Sequence, residues 1–179
     1  MKKLGIVVSS TRPARIGPKV AQWATSVAQS QEWEVEIIDL AQLALPFMDE
    51  VDMPASGNYA NQHTIDWAAR VAGVDALVIV TPQYNRSFPA PIKNAIDYLF
   101  AEWHGKPITL VGYGWGGAPD ATQGLTLVLE HVKAKVIDSV NLVFNTDLTT
   151  EGEMTVTEEN SDRLRLAFDT MSQQEQPVA

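Results

Sequence analysis

The stretch VIVTPQYNRSFPAPIKNAIDYL (78–99) joins two segments of different periodicity. It opens as a β-branched apolar run, the composition of a strand covered on both faces. It closes with Ile92, Ala95, Ile96 and Leu99 at i, i+3, i+4 and i+7, the apolar stripe of an amphipathic helix. A short polar turn would suffice between them. Instead TPQYNRS packs in a proline, an aromatic, an amide pair and an arginine. Thr81 and Pro82 end the strand, Ser87 stands where it can cap the helix, and Pro89 and Pro91 fall in the first helical turn. The corner is stiffened on both sides, and Tyr84, Asn85 and Arg86 are suited to lie along something flat and polar.

The same strand-to-helix alternation runs along the chain. Apolar runs at 4–8, 35–38, 76–80, 107–111 and 136–144 read as five strands. Val20/Trp23/Ala24/Val27, Leu125/Val128/Leu129/Val132 and Leu164/Ala167/Phe168/Met171 repeat the helical stripe. A weaker pattern over 58–72 puts Ile65, Ala69 and Ala72 on one face. Apolar strands alternating with helices require a parallel sheet covered on both faces. Five such units predict the flavodoxin-like, doubly wound order 2-1-3-4-5 in one domain over 1–179, with a frayed tail from about 172. Ligands in such sheets bind beyond the carboxyl ends of the strands at the switch point. That rule singles out the loops at 9–17, 81–87 and 112–118.

Composition narrows the function. There are no cysteines, so thiolate nucleophiles, cysteine metal sites and disulfides are excluded. The net charge of −9 argues against nucleic acid. The lysines at the start precede an apolar run too short for a signal peptide, and no run suits a membrane span, so a soluble cytoplasmic protein is expected. Between Ser9 and Lys19, however, stand three cations (Arg12, Arg15, Lys19) and no acid. In SSTRPARIGPK, hydroxyls and Arg12 precede a Gly17-Pro18 helix start, donors placed where a helix N-terminus attracts a phosphate. The alternative is an N-capping turn with incidental arginines. In the third loop, GYGWGGAP, glycines permit close backbone approach while Tyr113 or Trp115 walls a ligand.

Together these stretches resemble the NADPH-dependent FMN reductase family, which includes azo-dye, quinone and chromate reductases. The family pattern P-E-Y-N-x-S-x-P-G-x-L-K-N-A-I-D is met by PQYNRSFPAPIKNAID (82–97), G-S-x-R by residues 9–12, and a Gly-rich turn by 112–118. The resemblance extends to about residue 145. It implies that Ser10, Arg12, Ile16 and Gly17 hold the FMN phosphate. Pro82, Gln83, Tyr84, Asn85 and Arg86 run along the isoalloxazine, and Gly112, Tyr113, Gly114 and Gly117 border its other side. It further implies hydride transfer from NADPH or NADH to the flavin and on to a small-molecule acceptor, with no catalytic side chain and no metal, in a homodimer or homotetramer. A flavodoxin-type electron carrier without NAD(P)H oxidation is the competing reading. Ser9, Gln83, Ala90 and Gly112 depart from the family pattern. Gln83 for glutamate removes a negative charge expected near the ring edge, which should alter flavin potential or substrate preference without abolishing binding.

His63, His104 and His131 lack metal-ligand spacing and read as structural or surface residues, with His104 ending a helix over 92–103. Four of the five tryptophans read as packing, and Trp115 as near a ligand. The acidic stretch 151–162 is expected to lead into and cap the last helix. The long connection 45–59 reads as a lid or subunit contact beside the flavin, or as a plain surface loop.

Overall fold

The computed structural model describes residues 1–174 of the chain. Strands β1 (Lys3–Val8), β2 (Glu34–Asp39), β3 (Ala76–Pro82), β4 (Pro107–Gly114) and β5 (Lys135–Val143) form one sheet in the order β2-β1-β3-β4-β5. Every neighbouring pair is parallel. Helices α1 (Gly17–Gln29), α2 (Leu40–Leu43), α3 (Gln62–Ala72), α4 (Ala90–Asp97), α5 (Pro119–His131) and α6 (Glu158–Ser172) complete the order. The order is the flavodoxin-like one expected.

Alternation along the strands divides the core into two layers. Leu77 and Ile79 of β3 face α3, α4 and α5, whereas Ala76, Val78 and Val80 face α1 and α6. Ile92, Ala95, Ile96 and Leu99 are all buried, as are Leu164, Ala167, Phe168 and Met171. Each large apolar side chain so buried contributes about 1.5–3 kcal/mol. At the outer edge, Arg163 grips Asp138 through Nε (2.7 Å) and Nη2 (2.6 Å), pinning α6 to β5.

Three local expectations are corrected. The stripe Ile65/Ala69/Ala72 faces outward, and α3 buries Thr64, Trp67, Ala68 and Val71 instead. The indole decides the face, because a buried Trp67 needs an acceptor for its N–H and finds Ala95 O at 2.8 Å. The helix expected over 92–103 stops at Asp97, and a separate 3-10 turn covers Ala101–Trp103. Trp103 folds back so that its indole donates to Ile96 O (3.1 Å), and His104 packs edge-on against Phe100 rather than ending α4. Nor does Ser87 cap α4, whose N-cap is Pro89. Proline at 89 and 91 holds the preceding backbone extended and starts the helix later. At the C-terminus α6 runs to Ser172, and 175–179, most of the tail expected to fray, lie outside the described residues.

Candidate functional site

Register sets the site. Val80 pairs with Val8, Thr81 with Gly112 and Pro82 with Tyr113, so β1, β3 and β4 release their loops side by side. Ser9 N extends the β1–β3 pairing by donating to Val80 O at 3.1 Å. The loops enclose a cavity of about 400 Å³.

The crowded corner is a two-residue hairpin. Tyr84 and Ser87 exchange both backbone hydrogen bonds (2.8 and 3.0 Å), with Asn85 (φ 50°) and Arg86 (φ 64°) at its tip. Positive φ at both central positions is the type I′ arrangement, for which Asn-Gly is the favoured pair. Asparagine tolerates it, whereas arginine is strained by about 1 kcal/mol. The Tyr84 hydroxyl lies 2.7 Å from Ser10 Oγ, tying this hairpin to the first loop.

Gln83, at the cavity wall, is bound to the start of α5. Its Oε1 accepts from the N–H groups of Asp120 (3.0 Å) and Ala121 (3.3 Å), and its Nε2 donates to Asp120 Oδ2 (3.3 Å). Ala118, the N-cap of α5, makes no side-chain cap bond, so Gln83 supplies the cap from another loop. Asp120 also pairs with Arg86 Nε at 3.0 Å, so a negative charge does stand in this region, on Asp120. We predict that Gln83→Glu costs about 1 kcal/mol at neutral pH by setting two carboxylates together. The cost vanishes on acidification, once a shared proton bridges them; urea denaturation of both proteins across pH 4–8 checks this. A loss independent of pH would mean that the amide acts through shape alone.

In the first loop Arg12 and Ile16 border the cavity, and the N–H groups of Ile16 and of the neighbouring Thr11 have no partner among the described residues. The other two cations there are engaged. Arg15 Nη2 lies 2.6 Å from Asp39 Oδ2 in a largely buried pair, and Lys19 Nζ donates to Glu151 O at 2.6 Å. Ser10 and Gly17 are buried: Ser10 on Tyr84, Gly17 against the Tyr113 hydroxyl. Burial pushes the Tyr113 phenol up, keeping it neutral.

The third loop explains a departure from the family pattern. A Cβ on Gly112 would come within 2.7 Å of Gly117 O and 2.9 Å of Asn141 Oδ1, so the usual serine has no room here. Gly117 closes that turn at φ 75°. Gly114 and Gly116 face open space: a Cβ on either meets nothing within 4 Å. Their backbone is therefore bare toward the cavity.

Of the residues expected at the cofactor, Arg12, Ile16, Pro82, Gln83, Tyr84, Asn85, Arg86, Tyr113 and Gly114 line the cavity, with Trp115 beside them. Ser10, Gly17, Gly112 and Gly117 stand behind the lining. Phe144 and Thr150 also line it and were not anticipated. Trp115, 70% exposed, packs edge-on against Phe144 with ring centroids 5.3 Å apart. The segment carrying both newcomers is held by Asp147, which accepts from Val143 N, Thr157 N, Thr157 Oγ1 and Asn160 Nδ2. Beyond it, Thr157 caps α6 and Glu158 and Glu159 occupy its first turn, as expected of the acidic stretch.

These features fit FMN. Unpaired N–H groups and a guanidinium at the start of α1 suit a phosphate. A bare glycine backbone and the Tyr84, Trp115 and Phe144 rings suit a flat heteroaromatic. Fold and site thus define a flavodoxin-like, FMN-type cleft. The family model for NADPH-dependent FMN reductase matches residues 1–149, and the chain belongs to that family. It is 37% identical over 150 residues to the NAD(P)H-dependent FMN reductase LOT6 of Saccharomyces cerevisiae, covering 77% of this chain and 78% of that one. It is 32% identical over 126 residues to a 2-hydroxy-1,4-benzoquinone reductase of a Burkholderia species, covering 70% and 61%. Among solved structures, FerB, an NAD(P)H:(acceptor) oxidoreductase flavoenzyme of Paracoccus denitrificans, superposes with a TM-score of 0.68 at 24% identity, covering 96% and 95%. The chain is accordingly an NAD(P)H-dependent, FMN-linked oxidoreductase rather than a bare electron carrier.

Proposed function

We propose that the cavity formed by 9–17, 81–86, 112–118 and Phe144 holds FMN, and that the enzyme passes reducing equivalents from NAD(P)H to small flat acceptors such as quinones or azo compounds. Convergence of three donor-bearing loops on one cavity at the switch point carries this reading. FMN, when bound, supplies the hydride chemistry. Arg12 and the first-loop N–H groups neutralise and orient its phosphate, while Ser10 positions Tyr84. Pro82 to Arg86 form one rigid wall, and Gly114 and Gly116 let backbone N–H groups and carbonyls approach from the other. Trp115 and Phe144 exclude water and offer an aromatic surface to an acceptor.

Titrating the protein with FMN by flavin fluorescence, then following NAD(P)H consumption with a benzoquinone and an azo dye, tests the assignment. Quenching with acceptor-dependent NAD(P)H oxidation is expected. Absence of FMN binding would overturn it, and binding without oxidation would favour the carrier reading.

Segment 45–59 supports a second proposal, a cytoplasmic homodimer joined through this surface. Asn94 holds its backbone at Pro46 O (2.7 Å) and Met48 N (3.1 Å), and Tyr98 and His63 meet Asp49 Oδ1 at 2.9 Å. That rigid frame displays Phe47, Val51 and Met53, each more than three-quarters exposed. Exposed apolar groups on so fixed a backbone match an interface better than a mobile lid. Among the described residues no helix is long and apolar enough to cross a membrane. The double variant Phe47→Ser/Val51→Ser should sediment as a monomer where the parent sediments as a dimer; a monomeric parent at micromolar concentration sinks the idea.

A further inference from the structure

We infer that Arg86 recognises the 2′-phosphate of the dinucleotide co-substrate, so that this one side chain sets preference for NADPH over NADH. The inference rests on the FMN-site reading above.

Three observations carry it. First, Arg86 occupies the tip of the type I′ hairpin at φ 64°, where glycine would be unstrained, and strain kept at a cavity mouth points to a task for the side chain. Second, its guanidinium borders the cavity and is 85% exposed. Its ion pair with Asp120 uses Nε alone, and neither terminal nitrogen has a partner among the described residues. Asp120 thus holds the guanidinium in place while leaving a pair of N–H donors facing outward, the fork that fits a phosphate monoester. Third, the other cations of the region are committed elsewhere: Arg15 pairs with Asp39, Lys19 donates to Glu151 O, and Arg12 stands beside the unpaired first-loop N–H groups assigned above to the FMN phosphate. A terminal dianion arriving at the cavity mouth meets Arg86.

The test uses FMN-loaded enzyme and the variants Arg86→Gln, Arg86→Lys and Arg86→Gly. Arg86→Gln should raise KM for NADPH about tenfold and weaken competitive inhibition by adenosine 2′,5′-bisphosphate to the same extent. Inhibition by adenosine 5′-monophosphate should not follow it. Arg86→Lys should fall between, since a point charge replaces the fork. Arg86→Gly should lose NADPH preference without loss of thermal stability, because glycine relieves the left-handed backbone. Equal changes for NADPH and NADH, or none for either, would overturn the assignment. So would a clear fall in Tm for Arg86→Gly, which would mean that the arginine is kept for the fold. FMN affinity is measured in parallel: failure of the parent to bind FMN would sink the cofactor reading, whereas bound FMN with unaltered NADPH preference sinks only this one.

Discussion

Asp147→Ala should destabilise the protein by about 3 kcal/mol. The carboxylate is 2% exposed and accepts four hydrogen bonds joining the end of β5 to the start of α6. Truncation strands those donors and leaves a void. Asp147→Asn, which keeps the shape, should cost about half as much. Burial alone would raise the Asp147 pKa, but bonds from Val143 N, Asn160 and Thr157 outweigh it and hold the carboxyl below its ordinary range. The sign follows from linkage: a depressed folded-state pKa contributes stability above the unfolded value and loses it as pH falls through the folded one. Denaturant melts should therefore show the gap between parent and Asp147→Asn narrowing below about pH 4. A gap unchanged with pH would mean that charge plays no part. Because the same segment carries Phe144 and Thr150 to the cavity, the alanine variant should also bind FMN more weakly.

Arg12→Ala should weaken FMN by about 1–3 kcal/mol, on the order of tenfold to a hundredfold in Kd. Its guanidinium borders the cavity at the N-terminal end of α1 and makes no ion pair among the described residues. It is thus the first-loop cation free to meet a phosphate. Flavin fluorescence titration reads the loss, which should shrink as salt rises. Riboflavin, which lacks the phosphate, should bind parent and variant alike. Equal weakening of both ligands would show that Arg12 shapes the ring pocket instead.

Much of this was legible in the linear chain. The alternation of apolar strands with amphipathic helices implied the parallel sheet, and the switch-point rule placed three loops at one edge. The 82–97 pattern points to the family by itself. Misreadings arose where two features competed locally. On α3 the Trp67 indole's need for an acceptor overrides the aliphatic stripe. In α4, apolar spacing ran on past the point where Trp103 turns back to take a carbonyl.

Sequence alone determined the alternation of five strands with helices, and which loops carry donors, because periodicity and turn chemistry are properties of neighbouring residues. Only the tertiary structure decided what each loop residue does. Gln83 became the cap of a helix more than thirty positions away, Arg15 was paired with Asp39, and Arg86 kept two nitrogens without a partner among the described residues at the cavity mouth. Those outcomes depend on which polar groups the fold brings within about 3 Å, a distance set by strand register and helix packing rather than by spacing along the chain.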